Sequence, residues 1–283
     1  MNFHTDEWIM ERVREHYAEA LLHFPEDRVV GIFLQGSQNY GLDTENSDVD
    51  TKLIVVPTFN DLVFNKQPVS TTHVRVNNEH IDFKDIRLML QTFRKHNINF
   101  IEVLFTKYYI INPKYADLWN QLVKEREMIA GSNPLAMAKA LRGMALEKFH
   151  ALDHPYPSKM DILAKYGYDP KQLHHLVRLD CFFEYLSWGC SYEECLVPTD
   201  TDTESLLWIK SGNCCQTVEE AKKIAELFLD FIEKKYNIYI SVYTKEEIEN
   251  SIAYQKTEEL LDRVQYEIME EGILNTKWTE EIV

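Results

Sequence analysis

The chain has 283 residues, a formal net charge of −16, and 45% apolar and 12% aromatic residues. This composition is that of an ordinary globular protein, long enough for one large or two modest domains. The negative charge argues against a protein that coats nucleic acid through a general positive field, although it is compatible with a local basic cleft. Because the first ten positions carry charged residues and no apolar run is long enough for a membrane span, we expect a cytoplasmic protein without a signal peptide.

The first half of the sequence predicts a mixed α/β domain. A helix is expected over residues 5–24, capped by Thr5 and ended by Pro25, with His16 and His23 at its surface or boundary. Four short strands are expected, over residues 29–35, 48–56, 69–76 and 79–84. These strands can form one small sheet, which is followed by a helix over 85–96 and a further strand-like stretch over 108–111.

After Pro113 the pattern is helical almost to the end. The segment from Gly131 to Pro134 is the clearest break, so we predict a mixed α/β domain over residues 1–130 and a helical domain over 131–283. The fold class is therefore α+β. Residues 206–209 are compatible with either a strand or a helical turn, and the Glu-rich stretch over 246–281 is typical of a solvated helical face.

Asp48 and Asp50 stand two residues apart at the start of the second predicted strand. Alternation would place both side chains on one face, about 6.5 to 7 Å apart along the strand. Two carboxylates that converge in a partly enclosed space repel each other, and a divalent metal relieves that repulsion. Mg²⁺ usually takes one or two carboxylates and completes its shell with water and substrate phosphates, so this pair indicates a nucleotide-handling site.

A site that holds two metal ions generally needs a third acid. Asp82, which is flanked by apolar residues on the next strand but one, can supply it from about 4.8 Å to the side if the register is right. Asp85 is the competing acid, but its place before a helix favours a role as the helix cap.

Gly36 and Ser37 follow the first predicted strand. Glycine allows the backbone to approach a phosphate closely, and Ser37 offers a hydroxyl and backbone N–H groups suited to the outer phosphates of a triphosphate. A Gly-Ser pair alone is a weak signal, and here it gains weight because Ser-Asp-Val-Asp follows at short range. The other interpretation is that the two aspartates are turn acids before a strand.

Residues 36–41 (Gly-Ser-Gln-Asn-Tyr-Gly) followed by 47–50 (Ser-Asp-Val-Asp) resemble the signature of the DNA polymerase β-like nucleotidyltransferase superfamily. The resemblance implies a palm-like sheet in which Gly36 and Ser37 bind the triphosphate and Asp48, Asp50 and Asp82 bind two Mg²⁺ or Mn²⁺ ions.

Within that superfamily the chain is similar to the RlaP or YcgL-like predicted nucleotidyltransferases of the RNA repair pathway type. The similarity lies in the Tyr-Gly-Leu after Gly-Ser and in residues 100–105 and 165–179. Thr51 and Lys52 depart from it, since relatives often have small or apolar residues there.

A second group of polar residues lies on the predicted helix near residue 175. Lys171, His174, His175 and Arg178 are spaced as i, i+3, i+4 and i+7, which places them on one helix face. Alone, such a face is more often a solvated surface. With the family resemblance we name Lys171, His175 and Arg178 as nucleotide-contacting candidates, because a cationic stripe opposite the acids would neutralise the triphosphate.

Five cysteines occur in the second half of the chain, without a Cys-x-x-Cys pair. Their spacing favours buried reduced thiols over a zinc site that would include His174 or His175. Glu102 lies between apolar neighbours. It is either a residue that contacts the site residues without touching the ligand, or a structural acid that caps a helix.

Together these features predict a metal-dependent nucleotidyltransferase that uses a nucleoside triphosphate and releases pyrophosphate. An RNA or tRNA end is one expected acceptor. The same chemistry on a small molecule or a protein hydroxyl is an alternative, and a non-catalytic nucleotide-binding module is another.

Overall fold

The strands of the first half form one mixed β-sheet in the computed structural model, which describes residues 2–274. Within those residues the strands are Val29–Gln35 (β1), Asp50–Val55 (β2), Ser70–Val74 (β3), His80–Asp85 (β4) and Tyr109–Ile111 (β5). Their order across the sheet is β3-β4-β2-β1-β5. β2 runs parallel to β4, and the other neighbouring pairs are antiparallel.

The central strands are buried on both faces, as their nearly continuous apolar runs indicate. One face packs against the first helix, Asp6–Ala20 (α1), through a core that includes Ile9, Val13 and Leu53. On β1, Phe33 lies outside this core, and its ring centroid is 4.5 Å from that of Trp119. Alternation along the strands therefore assigns Leu53 and its neighbours to one face and Lys52 and Asp82 to the other.

The remaining helices of this half are short. They are Phe59–Val63 (α2), Ile86–Arg94 (α3), Ile98–Ile101 (α4), Ala116–Lys124 (α5) and Arg126–Gly131 (α6). The predicted helix cap at Asp85 is confirmed, because its carboxylate accepts a hydrogen bond from the Arg87 backbone N–H at 2.9 Å. Thr5 likewise caps α1 by accepting from the Trp8 backbone N–H.

The second half consists of helices. They are Pro134–His150 (α7), Met160–Tyr166 (α8), Pro170–Ser187 (α9), Tyr192–Leu196 (α10), Asp200–Lys210 (α11), Val218–Val242 (α12), Lys245–Glu249 (α13) and Ile252–Leu274 (α14). Residues 206–209 are helical, within α11. The predicted α+β class, a small mixed sheet followed by a mostly helical half, is confirmed.

By its internal contacts the chain divides into two units, and the last helix belongs to the first. The first unit combines residues 2–132 with 250–274, and the second comprises 133–249. The first division lies beside the predicted boundary at residue 131. The two units differ from the predicted domains in the place of α14. The prediction includes this helix in the helical domain, but it packs on α3, α5 and α6 of the first unit.

Two details correct the sequence analysis. His16 was expected at the surface or boundary of α1, but its side chain is fully buried against β2 and the turn before β4. The Glu-rich stretch expected as one solvated helical face over 246–281 forms two helices, α13 and α14, and its residues 275–281 lie outside the described residues. In residues 2–274 no helix has the length and apolar character that crossing a bilayer requires.

Candidate active site

The chain turns sharply where β1 ends. Gly36 has φ +100° and ψ −159°, a combination that is accessible to glycine and strained for other residues. A short 3-10 turn, Ser37–Asn39, follows, and the Ser37 carbonyl accepts hydrogen bonds from the Tyr40 and Leu42 backbone N–H groups at 3.1 Å. The predicted phosphate-binding pair therefore lies in a tight turn at the end of a buried strand.

Asp48 lies in the loop before β2, which begins at Asp50. The expectation that β2 begins at Asp48 and carries both acids is wrong for that reason. Pairing between β1 and β2 ends at the Gln35 and Asp50 positions, since Gly36 leads the chain away from the sheet. Asp48 is exposed, whereas Asp50 is about one-third exposed at the strand end.

The carboxylate of Asp50 is oriented by the first residue of β4. Its Oδ1 accepts a hydrogen bond from the His80 backbone N–H at 3.0 Å and lies 3.1 Å from the His80 Nδ1. These contacts fix Asp50 at the end of the parallel pair β2 and β4.

Asp82 lies on the same face of the sheet as Asp50. In the parallel ladder Asp82 is the register partner of Lys52, which stands two residues after Asp50 on β2. Its carboxylate accepts from the Thr72 hydroxyl at 2.6 Å, the Gln35 amide at 3.1 Å and the Lys52 ammonium at 3.4 Å. Burial alone would raise the pKa of Asp82, but these hydrogen bonds and the Lys52 charge hold it below its usual value.

Lys52 is a buried cation at this site. Its side chain is 2% exposed, and its Nζ lies 3.4 Å from Asp82 and 4.2 Å from the centroid of the Phe100 ring. Burial lowers the pKa of Lys52, and the carboxylates of Asp82 and Asp50 oppose that effect. The carboxylate and the aromatic ring together compensate for much of the cost of burying the ammonium.

The backbone between Asp48 and Asp50 is held from two sides. The Gln38 side-chain amide donates to the Asp48 carbonyl at 2.8 Å, and the Glu79 carboxylate accepts from the Val49 N–H at 3.4 Å. Glu79 also contacts His16 Nε2 at 2.9 Å. Gln38 lies within the signature over residues 36–41, and Glu79 and His16 support the candidate site from outside that signature.

The other contacts of Glu79 explain its charge state. Its carboxylate accepts hydrogen bonds from Arg12 and, at 2.9 Å, from Arg75. Burial alone would raise the pKa of Glu79, but the hydrogen bonds from His16, Arg12 and Asn77 and the charge of Arg12 depress it far below its usual range. Glu79 is therefore a carboxylate at every pH near neutrality.

The donor chemistry of Asp48 and Asp50 fits one hard divalent cation. Both offer carboxylate oxygens at the accessible end of the sheet, and Mg²⁺ uses one or two carboxylates with water and phosphate oxygens. Asp82 differs because it already accepts three hydrogen bonds, one of them from an ammonium. Across residues 2–274, no three or more His, Cys, Asp or Glu side chains are grouped as a metal site would require.

The predicted basic stripe lies on α9 of the second unit. Lys171 is exposed, and Arg178 and His175 are partly buried. Burial lowers the pKa of His175 well below its ordinary value and that of His174 to about 3, so both imidazoles are neutral at pH 7. The charge of the stripe therefore comes from Lys171 and Arg178. That it faces the acids stays a prediction.

The cysteines are free thiols in the described part of the chain, and Cys195 and Cys215 are buried. Burial raises the pKa of Cys181 to about 12. Glu102 is buried beside α4, in the segment that carries Phe100.

Several supporting residues were missed by sequence reasoning. They are Gln35, Thr72 and Glu79, and none of them belongs to a recognisable motif. Gln35 contacts residues 16 and 47 positions away, and Thr72 reaches Asp82 because β3 pairs with β4. Lys52 did carry a signal, because a lysine inside an apolar strand needs a partner, and the predicted acids Asp50 and Asp82 were both candidates.

No protein-family model matches the chain, and the curated proteins contain no significant match. Among solved structures, one similar chain is a nucleotidyltransferase-like protein from Exiguobacterium sibiricum 255-15. The TM-score is 0.31 with 13% sequence identity, over 93% of this chain and 92% of that chain. A similarity at this level assigns no function to this chain.

Proposed function

We propose that the chain is a metal-dependent nucleotidyltransferase that transfers a nucleoside monophosphate from a nucleoside triphosphate to an acceptor hydroxyl. The observation that carries this proposal is the position of Asp50 and Asp82 on one face of the adjacent parallel strands β2 and β4. The Gly36 turn lies at the same end of the sheet, because Gln35 is the register partner of Asp50. The arrangement agrees with the resemblance to DNA polymerase β-like nucleotidyltransferases, and the finer resemblance to the RNA repair type comes from the sequence alone.

A bound Mg²⁺ or Mn²⁺ would lower the pKa of the acceptor hydroxyl and neutralise charge on the triphosphate. Asp48 and Asp50 would hold that ion at the end of β2. Gly36 and Ser37 would contact the phosphates from the turn after β1, where the absence of a Cβ at Gly36 lets the backbone come close. Asp82 would orient the acceptor side of the site, held by Thr72 and Gln35.

In the reaction the acceptor oxygen attacks the α-phosphorus in line with the leaving group. A bond forms between that oxygen and the α-phosphorus, and the bond from the α-phosphorus to the bridging oxygen of the β-phosphate breaks. The electron pair leaves with pyrophosphate, and the hydroxyl proton passes to solvent. No covalent intermediate with the protein is required, since positioning and electrostatic stabilisation supply the catalysis.

We further propose that the acceptor is an RNA end, such as a tRNA terminus. The support is the resemblance to the RNA repair type, together with Lys171 and Arg178 as the charged members of the stripe on α9. With a net charge of −16, RNA would have to be bound locally and not by a general positive field.

The test is transfer of label from each α-labelled NTP, with Mg²⁺ or Mn²⁺, to RNA, tRNA or a protein extract. We expect label in RNA, and a loss of at least about a hundredfold in Asp50→Asn, since a metal ligand stabilises the transition state by several kcal/mol. Asp117→Asn, which changes an exposed acid of the same unit, is the matched control and should retain activity.

Label in protein or in a small molecule would replace the acceptor and keep the chemistry. Nucleotide binding without transfer to any acceptor would point to a non-catalytic module. Full activity of the Asp50→Asn variant would show that the site is assigned wrongly.

A further inference from the structure

We propose that the ammonium of Lys52 takes the place of one of the two metal ions, so that the site binds a single divalent cation on Asp48 and Asp50. The inference rests on the proposed function, and it changes the expected metal content from two ions to one. Lys52 is then a positioning residue whose ammonium lies 3.4 Å from the Asp82 carboxylate.

The contacts of Asp82 are the first step. Its Oδ2 lies 3.4 Å from Lys52 Nζ and also accepts from Gln35 at 3.1 Å, while Oδ1 accepts from Thr72 at 2.6 Å. Lys52 lies on β2 and Thr72 on β3, the two strands that flank β4, and Gln35 lies on β1, on the far side of β2. A metal ion on Asp82 would have to share the carboxylate with three donors that the sheet itself holds in place.

The second step is the burial of Lys52. Its side chain is 2% exposed, and its ammonium also contacts the face of the Phe100 ring, with 4.2 Å from Nζ to the centroid. The backbone of Lys52 pairs with β1 on one side and with β4 on the other. The sheet therefore fixes the position of its Cα. The cation is therefore a built part of the site, unlike a surface lysine that moves freely in water.

The third step is the balance of charge. A divalent ion bound to Asp82 would lie close to the Lys52 ammonium, which is 3.4 Å from the same carboxylate. Two positive charges that close together repel each other strongly in a partly desolvated site. Moving the ammonium away from Asp82 would leave a buried charge without its carboxylate, which is also costly. Both effects act at Asp82 and oppose a second ion there, whereas Asp48 is exposed and Asp50 is about one-third exposed at the strand end.

The test is the number of Mn²⁺ ions bound per chain, counted by electron paramagnetic resonance of the free ion with Mn²⁺ as the sole addition. We expect one ion for the wild type, none for Asp48→Asn/Asp50→Asn, and two for Lys52→Met. Methionine removes the charge and keeps an unbranched apolar side chain that is one heavy atom shorter. In Lys52→Met/Asp82→Asn the second ion should be lost.

Lys84→Met is the matched control, because Lys84 lies on the same face and also near Phe100, at 5.4 Å, but its ammonium donates to Ser70. It should bind one ion. Asp82→Asn in an otherwise unchanged chain gives a further measurement should Lys52→Met fail to fold, and it should keep one ion.

Two ions in the wild type, with one lost in Asp82→Asn, would overturn the inference and leave the proposed function standing. One ion in a folded Lys52→Met variant would also overturn it. No ion in the wild type would overturn the metal site of the proposed function together with the inference.

Discussion

The carboxylate of Glu79 accepts a hydrogen bond from the backbone N–H of Val49, the residue between Asp48 and Asp50. The same carboxylate also contacts Arg12 and His16 of α1 and Arg75, which follows β3. Through Glu79, the charged residues Arg12 and Arg75 are therefore connected to the backbone of Val49. This connection holds the backbone between the two candidate metal ligands, Asp48 and Asp50.

We predict that Glu79→Gln lowers both stability and transferase activity. Glutamine keeps the shape but leaves the cations around it without their counter-charge, and breaking a buried ion pair costs about 3 kcal/mol or more. Activity should fall because the loop from Asp48 to Asp50 loses its orientation. Urea unfolding and label transfer, compared in the same preparations, measure the two effects.

Glu15→Gln is the matched control for this variant. Glu15 pairs with the same arginines, Arg12 and Arg75, but its side chain is 43% exposed. Its loss should change stability by less than about 1 kcal/mol and leave activity intact. Equal effects of the two substitutions would show that the network does not position the loop.

The sequence was sufficient to predict parts of this site, and the reasons differ from residue to residue. Asp50 and Asp82 could be predicted because apolar strands flank them and alternation decides their face. Asp48 was misplaced onto the strand because pairing ends where Gly36 turns the chain, which depends on the partner strand. His16 was misplaced because a histidine on an amphipathic helix looks the same whether or not a distant glutamate covers it.

The last helix illustrates the same difficulty at a larger scale. The Glu-rich composition of α14 favours a solvated helical face, but several of its apolar residues are buried, and the sequence does not tell which other helices cover them. In the structure α3, α5 and α6 cover them, and Arg94 pairs with Glu258 at 2.8 Å and Asp262 at 2.6 Å. Such pairings across more than 160 positions are decided by tertiary packing, and periodicity carries no information about them.

We predict that Gly36→Ala destabilises the chain by about 1 to 3 kcal/mol, the cost of a non-glycine residue in this region of backbone space. The space around it is open, since a Cβ there would meet Gln38 Oε1 at 3.9 Å, so strain and not a clash causes the loss. Gly143→Ala, which also lies in open space but inside helix α7, should stabilise by about 0.5 to 1 kcal/mol. Urea unfolding of both variants separates the two effects, and a neutral Gly36→Ala would contradict the strained turn.

His96 should make the stability of the first unit depend on pH. It is buried, its Nδ1 donates to the Ala130 carbonyl at 3.0 Å, and burial lowers its pKa to about 4. An unfolded histidine titrates near pH 6.5, so the unfolded state takes up the proton first as the pH falls. Stability is therefore full above about pH 6.5 and declines by up to about 3 kcal/mol as the pH falls toward 4.

The variant His96→Asn tests this dependence. Asparagine tolerates the left-handed backbone at this position, where φ is +51°, and it does not titrate. The difference in unfolding free energy between wild type and variant should shrink between pH 7 and pH 4, as measured by urea unfolding at each pH. A constant difference over that range would show that His96 does not titrate on unfolding.

Gly272 should be essential for the seating of α14 on the first unit. A Cβ at this position would lie 2.4 Å from Val56 Cγ1 and 3.3 Å from the Tyr115 hydroxyl oxygen. Gly272→Ala therefore forces the helix away from the end of β2, and overpacking of this kind costs about 1 to 3 kcal/mol, more than the gain in helix propensity returns. Gly131→Ala, in α6 of the same unit with nothing within 4 Å of its Cβ, should be neutral or stabilising. Thermal unfolding of the two variants should show a lower midpoint for Gly272→Ala alone, and equal midpoints would mean that α14 does not approach Val56 this closely.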